Sequence, residues 1–137
     1  RQDIVTQFGA ASALGSTGLL AHNFLAGGKF PQMQYGQIVY LVYGDGRLAP
    51  YVVTAVQQYQ ALEPENIYSE FVDLSSGRSM SSTDVFNAAY GHPGAVVFQT
   101  CIAFGNQPSW GRLFVIAQPY MARSNLLIRS QVRQLPL

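Results

Sequence analysis

The sequence is short of cysteine, of lysine and of charge, and each shortage excludes something. Cys101 is the only cysteine among 137 residues. An intramolecular disulfide is therefore impossible, and a multi-thiolate zinc site is excluded. Lys29 is the only lysine, and the arginines are scattered rather than clustered. With a net charge of +1 and 11% charged residues, the chain has no phosphate-tracking patch, and nucleic acid is not an expected partner. No apolar run approaches the roughly 20 residues of a membrane span. Neither a starting methionine nor a signal-peptide pattern is present, so the chain reads as a mature or trimmed fragment.

What is present is a core-forming sequence, 48% hydrophobic, with tyrosine, valine, isoleucine and phenylalanine in short runs broken by turn residues. The length favours a single domain over residues 1–137. The clearest hairpin runs from Ile38 to Tyr43, turns at Gly44-Asp45-Gly46-Arg47, and returns from Tyr51 to Val56. Further strands are predicted over Ile4 to Phe8, Thr17 to Ala21, Ile67 to Leu74, Ala95 to Ile102 and Leu113 to Ala117. Ser81 to Asp84 has the form of a capping box before an apolar helix face, and Gly91-His92-Pro93-Gly94 stops that helix. The stretch from Ser124 to Leu137 fits a strand or a helix equally. Many short strands with one or two short helices point to an all-β closed barrel.

Three side chains carry potential chemistry. Cys101 lies near the end of the apolar run Ala95 to Ile102, ahead of Gly105-Asn106-Gln107-Pro108. If the next strand pairs antiparallel, Arg112 comes to the same end of the sheet, about 5 Å from its cross-strand neighbour. His22 ends another apolar run, Gly18 to Ala21. Each has an ordinary reading: a buried small hydrophobe, a solvated strand-end charge and a hydrogen-bonded turn histidine. Meeting at one sulfur, they would form a nucleophile, an acid–base group and an anion clamp. His92, in a proline-flanked turn, is the rival base. Phe104 and Trp110 either rim a site or pack beside a loop. Glu63, Glu65, Glu70 and Asp73 match no calcium-loop spacing and read as a solvated acidic face.

The runs Leu20-Ala21-His22-Asn23-Phe24, Val97-Phe98-Gln99-Thr100-Cys101 and Trp110-Gly111-Arg112-Leu113 occur in the order of a known pattern. The chain resembles the sortases, cell-surface transpeptidases of Gram-positive and related bacteria. These carry a histidine after an early strand, a Thr-Leu-x-Thr-Cys strand end and an arginine on the next strand. Val97 and Phe98 stand where the family has Thr and Leu, which leaves the subclass and the sorting-signal preference open. The resemblance implies an eight-stranded β-barrel that cleaves a Leu-Pro-x-Thr-Gly-like signal between Thr and Gly. It implies a thioester on Cys101 and transfer of the acyl group to an amine of cell-wall precursor or pilin. His22, Cys101 and Arg112 would be catalytic and Thr100 would bind substrate, with no cofactor or metal. The parent protein would be extracytoplasmic and tethered to the plasma membrane. A cysteine hydrolase on the same barrel and a non-catalytic adhesion or peptide-binding barrel are the alternatives.

Overall fold

The structure is a computed structural model, and residues 4–121 are described. The predicted element at Ser124 to Leu137 lies outside them. Eight strands form one sheet: β1 (Thr6–Phe8), β2 (Thr17–Leu20), β3 (Ile38–Val42), β4 (Leu48–Ala61), β5 (Phe71–Asp73), β6 (Ser79–Met80), β7 (Val96–Phe104) and β8 (Gln107–Pro119). Their order is β1-β2-β7-β8-β4-β5-β6, with β3 beside β4. One α-helix, α1 (Ser82–Tyr90), and two 3-10 segments, Gly9–Leu14 and Ala26–Gln32, complete the fold.

The long strands are apolar on both faces because both faces are covered. On one side, α1 lays Val85, Ala89 and Tyr90 against Val97, Phe114, Ile116, Tyr59 and Phe71. On the other, Phe30 of the second 3-10 segment covers Val96, Phe98, Leu113 and Val115. The strict alternation of β7 therefore separates two cores. Val96, Phe98 and Thr100 face the 3-10 side, and Val97, Gln99 and Cys101 face the helix side. Among the described residues no ladder joins β1 to β6, the two ends of the sheet. Helix α1 lies between those ends, touching β6 and the first 3-10 segment. Phe86 and Tyr90 meet Phe8 of β1 edge-on.

Several boundaries differ from the sequence expectation. Strand β4 runs on to Ala61, because Tyr59 and Ala61 enter the helix-side core while Gln60 between them tolerates the other face. A bulge between Val53 and Ala55 absorbs the extra length. The stretch before Phe71 is a turn instead of a strand. Asn66 caps it by accepting from the Tyr68 amide at 2.9 Å, leaving Ile67 and Tyr68 both 77% exposed. The capping box forms as read: the Asp84 amide donates to Ser81 Oγ at 3.1 Å, and the Ser81 amide donates to Asp84 Oδ2 at 3.2 Å.

Burial holds the Tyr90 phenol well above the ordinary tyrosine value of 10.0. Its neutral form is favoured in the fold, so its contribution to stability is intact below pH 10 and falls as the pH rises beyond it. Denaturant unfolding between pH 10 and 12 is expected to show stability dropping by up to about 1.4 kcal/mol per pH unit from this group. Tyr90→Phe should flatten that slope.

Candidate active site

Three adjacent strands build the site. In the β7–β8 hairpin, Cys101 is the direct cross-strand partner of Arg112. The two share the helix-side face, with Cα atoms roughly 5 Å apart. On the other flank of β7, β2 runs parallel in a register that sets Leu20 beside Gln99. The Ala21 amide donates to Gln99 O at 3.2 Å, so the ladder continues past the formal end of β2. His22 follows directly and lines the same cavity as Cys101. Cys101 is thus paired with Arg112 on β8 and shares a cavity with His22, which follows β2.

The hairpin does not end at the cysteine as the sequence suggested. The turn is only Gly105-Asn106, with Gly105 at φ +58°, so pairing persists to Phe104 and Gln107. Cys101 is accessible because its face is open there, and its thiol is half-buried and free. It lines a cavity of about 620 Å³ together with His22, Leu20, Leu25, Gln99 and Thr100. Ile4 and Thr6 form the far wall.

His22 is exposed, and its ring stacks on Phe24 at 5.2 Å with an 18° tilt. Its carbonyl accepts from the Leu25 and Gly27 amides at 2.9 and 3.1 Å, which folds the chain back after β2. Gly27 sits where this turn meets β7. A Cβ there would collide with Thr100 Oγ1 and Ala21 O and lie 2.8 Å from His22 O. Thr100 lines the cavity, but its hydroxyl is directed at Gly27. It is buried without a hydrogen-bond partner among the described residues.

Arg112 is anchored through backbone carbonyls. Nη1 donates to Ser109 O at 2.8 Å and Gly111 O at 3.0 Å, and Nη2 donates to Pro64 O at 2.9 Å. The guanidinium lies 5.9 Å from the Phe71 ring centre. Among the described residues, two of its five N–H donors have no acceptor. Arg112 lines a second cavity of about 280 Å³, on the same sheet face, walled by Phe71, Phe86, Tyr90 and Phe114. Leu20 and Gln99 belong to both cavities, making them the saddle of one groove.

The other candidates lie elsewhere. His92 precedes β7 at the opposite end, about 20 Å from Cys101 along the strand. Its Nε2 is 2.9 Å from Ala88 O, which gives it a structural partner at the end of α1. Phe104 and Trp110 pack on each other at 5.3 Å on the hairpin tip. Asp73 accepts from the Ser75 hydroxyl and amide, which with Ser76 hold its carboxyl below the usual range. Glu63 accepts from Asn66 Nδ2 at 3.0 Å. Among the described residues, no group of three histidine, cysteine or acidic side chains could hold a metal. Nor is any helix among them long and apolar enough to cross a membrane. Sequence reading passed over Gln99 and Tyr90; the signal was a lone amide two residues before the cysteine in an apolar run.

Solved structures of sortase C share this architecture. An X-ray structure of Clostridium perfringens sortase C with the C-terminal cell wall sorting motif aligns over 88% of this chain and 58% of its own. The identity is 18% and the TM-score 0.51. Sortase C from C. perfringens SM101 aligns over 88% of this chain and 50% of its own, at 16% identity and a TM-score of 0.45. Streptococcus pneumoniae sortase C aligns over 78% of this chain and 45% of its own, at 18% identity and 0.47. The chain spans about half the length of the sortase C chains it matches. No protein-family model matches it. No curated protein matches it either. The fold is sortase-like: mostly β, with eight strands in one sheet and few short helices. The structure that carries this likeness is of a sortase C.

Gly27→Ala is expected to destabilise the chain by about 2 kcal/mol or more, since the clashing atoms include backbone on two elements. Chemical denaturation measures this. Gly9→Ala, where a Cβ meets nothing within 4 Å, should stay within about 0.5 kcal/mol of the parent.

Proposed function

We propose that this chain is the catalytic domain of a sortase-type cysteine transpeptidase. The reading is carried by the cross-strand pairing of Cys101 with Arg112 and by the cavity that Cys101 shares with His22. In this reading the Cys101 thiolate attacks the carbonyl carbon of the scissile bond. The oxyanion that forms accepts a hydrogen bond from the unoccupied N–H groups of Arg112. The C–N bond then breaks as the His22 imidazolium passes its proton to the departing nitrogen. A thioester remains on Cys101, and the imidazole is neutral. An incoming amine attacks the thioester carbon and gives its proton to His22. The C–S bond breaks, and the thiolate returns.

The carbonyl anchors of Arg112 have a role in this scheme. They hold a long, flexible cation against β8, so less order is lost when substrate arrives. Thr100 borders the peptide groove on β7, its buried side chain packed at Gly27 in the turn that follows His22. The acyl donor is a Leu-Pro-x-Thr-Gly-like sorting signal cut between Thr and Gly. The acceptor is an amine of cell-wall precursor or pilin. The likeness to a sortase C solved with a cell wall sorting motif supports this choice of substrate. The full-length protein is assigned to the extracytoplasmic cell surface, tethered to the plasma membrane.

Kinetics with a Leu-Pro-x-Thr-Gly peptide and a small amine test the assignments. Cys101→Ala should lower kcat/KM by roughly 10⁴-fold or more. His22→Ala should lower it by about 10²–10⁴-fold, and Arg112→Ala by about 10²–10³-fold. Arg112→Lys should not restore activity, because lysine cannot reproduce the planar fork. Unchanged cleavage by Cys101→Ala would remove the mechanism.

A further inference from the structure

Gln99 is the one amide in the run Ala95 to Cys101. Standing two residues before the cysteine, it emerges on the same face, about 7 Å away along β7. The Tyr90 hydroxyl donates to Gln99 Oε1. Tyr90 is 1% exposed, closes the last turn of α1, and meets Phe114 and Phe8 edge-on. That phenol cannot shift without opening the core. It therefore fixes the amide, with the carbonyl toward the helix and the amino group toward the groove. Gln99 Nε2 makes no hydrogen bond to the described residues, and Gln99 belongs to both cavities. An oriented pair of donors on the saddle of an otherwise apolar groove suits a ligand that brings an acceptor.

We propose, building on the reading of this groove as a peptide site, that Gln99 is a substrate-binding residue. Its amino group donates to a main-chain carbonyl of the acyl-donor peptide, about two residues from the carbonyl that Cys101 attacks. Tyr90 is a positioning residue that acts through Gln99. The ligand class is an extended peptide, held by its backbone, and the bond sets which residue reaches the sulfur. Leu20, beside Gln99, supplies the apolar floor under the same stretch.

The test is binding of a fluorescein-labelled Leu-Pro-Ala-Thr-Gly peptide to the Cys101→Ala chain, read by anisotropy. Gln99→Glu keeps the acceptor for Tyr90 and removes both donors. It is expected to raise Kd about tenfold, the worth of one hydrogen bond. Tyr90→Phe should raise Kd about threefold, through loss of amide orientation. The double variant should bind no worse than Gln99→Glu alone, a coupling that a merely structural tyrosine would not produce. In the Cys101-intact chain, the uncharged Gln99→Leu should raise KM more than it lowers kcat. Gln99→Leu, which introduces no charge, should reproduce the loss of affinity. Unchanged Kd in Gln99→Glu and Gln99→Leu, or additive losses in the double variant, would overturn this inference alone. Failure of the parent Cys101→Ala chain to bind the peptide would overturn it together with the transpeptidase reading.

Discussion

The pairing of β7 with its two neighbours is the constraint on which the rest depends. A strand has two edges, and β7 uses one for an antiparallel partner and the other for a parallel one. Its antiparallel register sets Cys101 against Arg112, and its parallel register sets Leu20, the end of β2, beside Gln99. A shift of one residue in either ladder would turn the affected side chain to the other face. What prevents such a slip is the burial of both faces. Val97 and Phe114 belong to one core, and Phe98 and Val115 belong to the other. Any slip would exchange these sets and leave apolar volume mismatched on both sides.

The site is also tied to packing beyond the sheet. The turn after β2 is stitched by His22 O to two amides, and Gly27 lets it approach Thr100. On the far flank, Arg112 reaches across to Pro64 O in the loop between β4 and β5. Helix α1 sends Tyr90 to Gln99 from below. Each of the three strand positions is thus supported by a separate element. A groove assembled from so many segments depends on the whole domain being folded.

Much of this could be read from the residues. The capping box at Ser81 and Asp84 and the Asp45-Gly46 hairpin are local signals, and both formed where local chemistry placed them. The apolar runs around Val97 and Val115 announced buried strands. Boundaries were harder, because they depend on distant partners. Nothing near Gln60 says that Phe71 will pair with Ala61, and nothing near Ile67 says that Asn66 will cap a turn there. The face of β7 carrying Cys101 was undetermined by alternation alone, since both faces are apolar; only the position of α1 decides it. The parallel pairing of β2 and β7, separated by most of the chain, was invisible for the same reason. His22, Cys101 and Arg112 stood out in the sequence as an ordered set of motifs resembling the sortases. The Tyr90–Gln99 contact was not, because it joins a helix end to a strand middle.

The central claim is that the sulfur of Cys101 becomes covalently acylated by a peptide held in this groove. Intact-mass spectrometry of the chain, quenched in acid after mixing with a Leu-Pro-x-Thr-Gly-type peptide, measures it directly. The account predicts an adduct with the mass of the acyl fragment, mapped to the peptide that contains Cys101 and discharged by added amine. Peptide cleavage with no adduct at Cys101, or an adduct that persists when an amine is supplied, would contradict it.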